Sequence, residues 1–260
     1  MADALTEVDV IRASVLAGTR HGFLGRRGGV SAGAVAGLNV GIGTIGPEGD
    51  SAEAVAANRA LAVAAVTPDA RLVTIYQVHS AECVVASDWS DTERPHADAL
   101  VTDKPGILLG ILTADCAPVL LADVEAGVIG AAHAGWKGAL GGVGEATIAA
   151  MVALGARKER IAAAVGPCIA QASYEVDEAF RVRFCEASKA NALFFAPGKP
   201  GHWQFNLAGY VASRLKAAGL TRIEVLDLDT YTRETRFFSF RRATHRGEAA
   251  YGRQISLIGL

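Results

Sequence analysis

GILLGILTADCAPVLLADVEAGVIGAAH, residues 106–133, holds three apolar runs separated only by the short breaks TADC and VEA. Short runs rich in Ile, Leu and Val, bounded by turn residues, read as buried strands. The same reading applies upstream to RLVTIYQVH (71–79), AECVVAS (81–87) and ADALVT (97–102). Six strands in succession with no helix between them argue against a doubly wound βαβ order. Helices are expected on either side. SAEAVAANRALAVAAV opens with Ser51 as N-cap, carries an early Glu53 and stops before Pro68. Further helices are expected from Gly142 to Leu154, in YEVDEAFRVRFCEAS and in NLAGYVASRLKAAG, with RIAAAVG, RIEVLDL, RFFSFRR and GRQISLIGL as strands. The glycine-rich N-terminal third reads as loops, tight turns and short strands. The expectation is an α+β fold, a mixed β-sheet core covered by helices, filling residues 1–260 as a single domain.

Composition narrows the partners. The chain has 260 residues, 51% hydrophobic and 20% charged, with a formal net charge of -2. That balance gives no basic excess for nucleic acid. The start, MADALTEVDV, lacks the positive charge of a secretory leader, and no apolar run approaches the roughly 18 residues of a membrane span. A cytoplasmic protein with no membrane partner is expected. The four cysteines form no CxxC pair and are too sparse for a disulfide scaffold. Cys83 in a strand and Cys185 in a helix read as packing residues.

Three strand ends carry reactive side chains: His79 closes YQVH, Cys116 sits in the TADC turn and His133 ends VIGAAH. Two imidazoles and a thiolate suit Zn²⁺ with an open fourth position, and such a centre keeps a net charge of about +1. The spacings, 37 residues from His79 to Cys116 and 17 from there to His133, match no short zinc pattern. Two alternatives stay open. The histidines could be hydrogen-bonded strand ends beside a packing cysteine, or one could activate Cys116 as a metal-free nucleophile. The second imidazole has an evident task only as a ligand.

QVHS, ADALVT, LTADCAPVLL, AAHAGWKG, the GPCI loop and FFSFRR, in this order, resemble the YfiH/laccase-domain family, and the resemblance runs from HGFLGRRGGVS to GRQISLI. It implies an α+β fold and a metal held by His79, Cys116 and His133. It departs at Asp229, where many relatives carry a cysteine. The activities it implies differ: a copper-dependent polyphenol oxidase, a purine nucleoside phosphorylase that also deaminates adenosine, or a peptidoglycan precursor editing factor. A four-copper laccase needs many imidazoles, whereas this chain has six histidines, at 21, 79, 96, 133, 202 and 245, with no HxH pair. The deaminase signature PCxxC and the P-loop pattern are also missing from the sequence.

The reading favoured by these residues is a zinc-dependent purine nucleoside phosphorylase acting on adenosine, inosine or methylthioadenosine with phosphate. Copper remains an alternative metal. Phosphorolysis needs a cationic cradle, for which Arg26, Arg59, Lys137 and Arg241 or Arg242 are the candidates. Arg59 could equally be salt-bridged on its helix, and the arginines of FFSFRR could keep an edge strand soluble. Asp115 is expected to orient a ligand or act as acid and base, and Gln77 to hydrogen-bond a base or sugar. Asn39 and Asp98 match family motif positions, with turn capping as the alternative for both.

Overall fold

A computed structural model of the chain describes residues 7–44, 46 and 49–260. The six consecutive strands do not lie in one sheet. Ile107–Thr113 belongs to a five-stranded sheet whose spatial order is Val10–Ile11, Arg20–Leu24, Gln254–Gly259, Ile107–Thr113, Arg71–Val73. Ala117–Asp123 and Val128–Ala134 belong to a six-stranded sheet ordered Arg222–Val225, Ala162–Val165, Ala117–Asp123, Val128–Ala134, Ala99–Thr102, Cys83–Val85. Both sheets mix parallel and antiparallel pairs. The chain crosses from one to the other in the Ala114-Asp115-Cys116 turn.

Strand periodicity then builds four layers. Leu109 and Ile111 of the first sheet pack with Leu120, Ala122, Ile129 and Ala131 of the second. The alternate residues Leu108 and Leu112 turn outward onto Ala62 and Val66 of helix Ala52–Val66. On the far side of the second sheet, Val119 and Leu121 share a core with Ile148 and Met151 of helix Val143–Ala153 and with Val211 and Leu215 of helix Leu207–Ala217. The mixed β core covered by helices is therefore present, as two facing sheets. A small antiparallel sheet, Glu175–Asp177, His202–Phe205 and Phe195–Pro197, adds an aromatic annex around Phe184 and Tyr210.

Local signals explain where expectation and structure agree. Ser51 caps helix Ala52–Val66, its hydroxyl accepting from Ala54 N at 3.0 Å. Three expectations are corrected. RFFSFRR is not a strand: Phe237 and Phe238 are buried in a loop, and Ser239 caps a helix over Phe240–Arg246 that ends at Gly247 with φ 65°. Three residues of apparent alternation lose there to the Ser and Gly end signals. RLVTIYQVH is strand only over Arg71–Val73, because Trp89 Nε1 donates to Thr74 O and the Gln77 amide turns to Leu112. A helix over Trp136–Gly141 precedes the expected one, and Gly142, at φ 99°, ends the first and begins the second.

Truncating Leu109, which is fully buried between the sheets, is expected to cost about 2–5 kcal/mol as Leu109→Ala. Urea denaturation should show a lower midpoint at an unchanged slope.

Candidate functional site

Strand register and one returning loop bring the three residues together. In the hairpin of the second sheet Pro118 faces His133 and Ala117 faces Ala134, so Cys116 stands beside His133 at the open end. On the other side of Val128–Ala134, Ala99 faces Ala132, which sets Asp98 next to His133, and His133 N donates to Asp98 O at 2.7 Å. Parallel pairing of Cys83 with Ala99 returns the loop carrying His79 to the same end. One ligand atom each of His79, Cys116 and His133 lies within 4.8 Å of the others. The two imidazole rings are 4.7 Å apart, centre to centre. His133 is buried, Cys116 half-buried and His79 exposed at the mouth.

Asp98 organises this cluster. Its Oδ1 contacts His133 Nδ1 at 2.8 Å and accepts from His79 N at 3.0 Å. Its Oδ2 accepts from Val78 N, Ser80 N and the Ser80 hydroxyl. With Nδ1 engaged, His133 presents Nε2 to the centre. Burial disfavours the His133 imidazolium, but the Cys116 sulfur and Asp98 outweigh it and hold its pKa up to about 9 in the metal-free chain. Burial likewise works against the Asp98 carboxylate, yet the hydrogen bonds from His133 and Ser80 bring it down to about 2. His79 is shifted down, first by the desolvation of its inner face and then by His133.

Backbone choices keep the ligands in place. His79 has φ 61° and Asp115 φ 82°, both in the left-handed region that few side chains adopt. Asp115 is held there by Thr230 Oγ1, Ser239 Oγ and Arg241 N, at 2.6, 2.9 and 2.7 Å. Burial raises its pKa against those three bonds. A Cβ on Gly135 would stand 2.6 Å from His79 Nδ1 and 3.0 Å from Cys116 Sγ, so only glycine leaves the sulfur and imidazole room to converge. Two imidazoles and one thiol, converging with the supporting carboxylate already in place, form a donor set that fits zinc.

The cluster forms the floor of a cleft of about 380 Å³ at the mouth between the two sheets. Tyr76, Phe240 and Tyr251 give it aromatic walls, and Gln77, Arg94 and Arg253 are its other large polar residues. Tyr76 and Phe240 are each about half exposed. Among the described residues no carboxylate lines it, and Arg94 and Arg253 are its cationic side chains.

Most of the other residues singled out in the sequence lie outside this cleft. Gln77 lines it, its amide exchanging two hydrogen bonds with the backbone of Leu112 at 2.7 and 2.9 Å. Arg26 donates to Ala36 O and Glu234 O and lines a separate cavity of about 190 Å³. Asn39 is buried, donating to Thr44 and Asp50 and accepting from Gly41 N and Arg253 N. Arg59 donates to both carboxylate oxygens of Asp91 at 3.0 Å. Lys137 is exposed, with Nζ 5.6 Å from the Trp136 ring centre. Arg241 donates to Glu175 O and Arg242 to three backbone carbonyls. Asp115 stays behind Cys116, buried, and orients no imidazole; Asp98 does that. Asp229 staples the GPCI loop, accepting from Ala170 N and the Ser173 hydroxyl.

The cleft residues missed in the sequence are Tyr76, Arg94, Phe240, Tyr251 and Arg253. A signal for the last existed: Arg253 stands two residues before the apolar run ISLIGL, and its neighbour Gln254 pairs with Thr113, so Arg253 stands level with the TADC turn.

A family model described as "Multi-copper polyphenol oxidoreductase laccase" matches residues 20–260. The chain belongs to this family. It is 43% identical, over 92% of its length and 88% of the relative's, to a purine nucleoside phosphorylase of Deinococcus radiodurans. To a purine nucleoside phosphorylase of Streptomyces coelicolor it is 39% identical, over 90% and 94% of the two chains. Among solved structures, a Neisseria meningitidis protein superposes with a TM-score of 0.86 at 32% identity, covering 98% of this chain and 99% of that one. Bacillus licheniformis YfiH does so with a TM-score of 0.86 at 28% identity, over 100% and 98%. The family resemblance and the fold it implies are thereby shown. Among the described residues no helix is long and apolar enough to cross a membrane.

Two outcomes follow from Asp98. Asp98→Asn is expected to weaken metal binding by about 10–100-fold, as read by competition with a chromogenic chelator. In chelator-treated protein, His133 has a folded pKa of about 9 against an ordinary 6.5. The stability it contributes is thus fully present below 6.5 and lost as pH rises through 9. Thermal melts of the metal-free wild type should decline across that window, and Asp98→Asn should flatten the decline.

Proposed function

We propose that this chain is a metal-dependent purine nucleoside phosphorylase, acting in the cytoplasm on adenosine, inosine or methylthioadenosine. The observation that carries the reading is the convergence of His79, Cys116 and His133 on the floor of a cationic cleft with aromatic walls. The names of the Deinococcus and Streptomyces relatives support it. In phosphorolysis the bond between the sugar C1′ and the purine nitrogen breaks, and a bond forms between C1′ and a phosphate oxygen. The base leaves with the bonding electron pair and takes up a proton, giving free base and pentose 1-phosphate.

The chain's own groups divide this work. Tyr76, Phe240 and Tyr251 offer flat faces to a purine. Arginine in the cleft offsets the charge of phosphate. Gln77, both ends of its amide bound to Leu112, holds the wall of the first sheet rather than reaching for a base. Asp98 fixes the ring and the free nitrogen of His133. Zinc, held by His79, Cys116 and His133, would supply Lewis acidity at the floor. Deamination of adenosine is proposed as a second activity of the same cleft.

Copper at the same three residues is the competing choice of metal. The remaining histidines do not add to it: His21 contacts Ala13 and Thr19, His96 stacks on Tyr76, His202 meets Pro200 and His245 meets Tyr231. They supply no trinuclear cluster around Cys116, which favours the phosphorylase over a four-copper oxidase.

Purified, zinc-replete protein given the three nucleosides should release free base and pentose 1-phosphate only when phosphate is present, and should stop when chelator is added. Cys116→Ala should lower kcat/KM at least about 100-fold, more than loss of a supporting hydrogen bond costs. Base release unchanged in that variant, or absent from wild type with all three nucleosides, would contradict the proposal. Ammonia released from adenosine reports the second activity.

A further inference from the structure

The arginines nominated in the sequence for phosphate are engaged elsewhere. Arg26, Arg241 and Arg242 donate to backbone carbonyls, and Arg59 is locked on Asp91. Lys137 does not line the cleft, whereas Arg94 and Arg253 do. Arg94 is partly spoken for: its Nε donates to Asp91 O at 2.8 Å and lies 3.8 Å from the Asp91 carboxylate.

Arg253 differs. Among the described residues its guanidinium makes one hydrogen bond, from Nη2 to the Tyr251 hydroxyl at 3.1 Å, and has no carboxylate within salt-bridge reach. A guanidinium carries five N–H donors, so most remain available in a fork suited to an oxyanion. The group is also pre-oriented. It lies 5.1 Å over the Tyr251 ring, which packs 5.0 Å from Phe240. Its backbone is tied by Arg253 N to Asn39 Oδ1 and by Val40 N to Arg253 O. A Cβ on Gly43 would come within 3.1 Å of Nη1, so glycine there keeps that edge of the guanidinium open. Thr113, 2% exposed, also lines the cleft, and its buried hydroxyl has no hydrogen-bond partner. Thr113 pairs with Gln254, the neighbour of Arg253.

We infer that Arg253, with Thr113 on the cleft lining and Arg94 as the second cation of the cleft, forms the binding site for inorganic phosphate. Naming phosphate rather than another oxyanion rests on the phosphorolysis reading. That an anion binds at Arg253 does not.

The test is calorimetric titration of zinc-replete wild type, Arg253→Gln, Arg253→Lys and Lys137→Gln with inorganic phosphate and, separately, with adenosine 5′-monophosphate. Zinc content and circular dichroism serve as folding controls. Arg253→Gln should weaken inorganic phosphate about tenfold or more, Arg253→Lys should recover part of the loss, and Lys137→Gln should match wild type. In turnover, the KM for phosphate should rise in Arg253→Gln while that for nucleoside holds. Phosphate binding by folded Arg253→Gln equal to wild type, no phosphate binding by wild type, or dependence on Arg253 for the nucleotide alone would each overturn the inference. Arg253-dependent phosphate binding by a wild type that cleaves no nucleoside would leave the anion site standing and remove the phosphorolysis reading.

Discussion

One buried carboxylate holds the centre together. Asp98 accepts from three successive backbone N–H groups of the Val78–Ser80 turn and from the Ser80 hydroxyl, and it contacts the His133 imidazole. A carboxylate is costly to bury unless its lone pairs are satisfied, and here they are satisfied by the loop and the ring that must be positioned. The same interaction therefore shapes the His79 turn, orients His133 and selects which of its nitrogens faces Cys116. Register supplies the remainder, because Cys116 follows from the pairing of Ala117 with Ala134.

The cleft lies where it does because the chain changes sheets there. Thr113 ends a strand of one sheet and Ala117 begins a strand of the other, leaving Asp115 to make the turn in left-handed geometry. Thr230, Ser239 and Arg241 hold Asp115, so the C-terminal segment is built into the support of the Cys116 turn, more than a hundred residues earlier. That segment also contributes Phe240, Tyr251 and Arg253 to the cleft wall. The His–Cys–His cluster comes from the middle of the chain, while the cleft wall draws on both the middle and the end.

This division explains what was legible in the sequence. His79, Cys116 and His133 stood out because in the sequence each follows an apolar run with a reactive group, a local signal that survives without knowledge of the fold. The strands of residues 106–133 were readable for the same reason. Their split between two sheets was not, since period-two patterning shows which faces are buried and not against what. The partners of the candidate arginines were not legible, because an arginine in a loop looks the same in sequence whether it meets solvent, a carbonyl or a ligand. Arg26 and Arg242 satisfy backbone carbonyls, a partner choice that only tertiary structure reveals. RFFSFRR failed as a strand because its aromatic-rich run resembles strand composition while Ser239 and Gly247 delimit a helix.

The family's oxidase description and the phosphorylase names of the relatives point to different chemistries. The ligand set itself is the common ground, and its most direct test is X-ray absorption at the zinc edge on protein purified without added copper. One sulfur at about 2.3 Å and two imidazole nitrogens at about 2.0 Å, with a light atom completing the coordination, is the expected spectrum. A second sulfur, a shell closed by four protein side chains, or a stoichiometric copper signal in place of zinc would contradict the account.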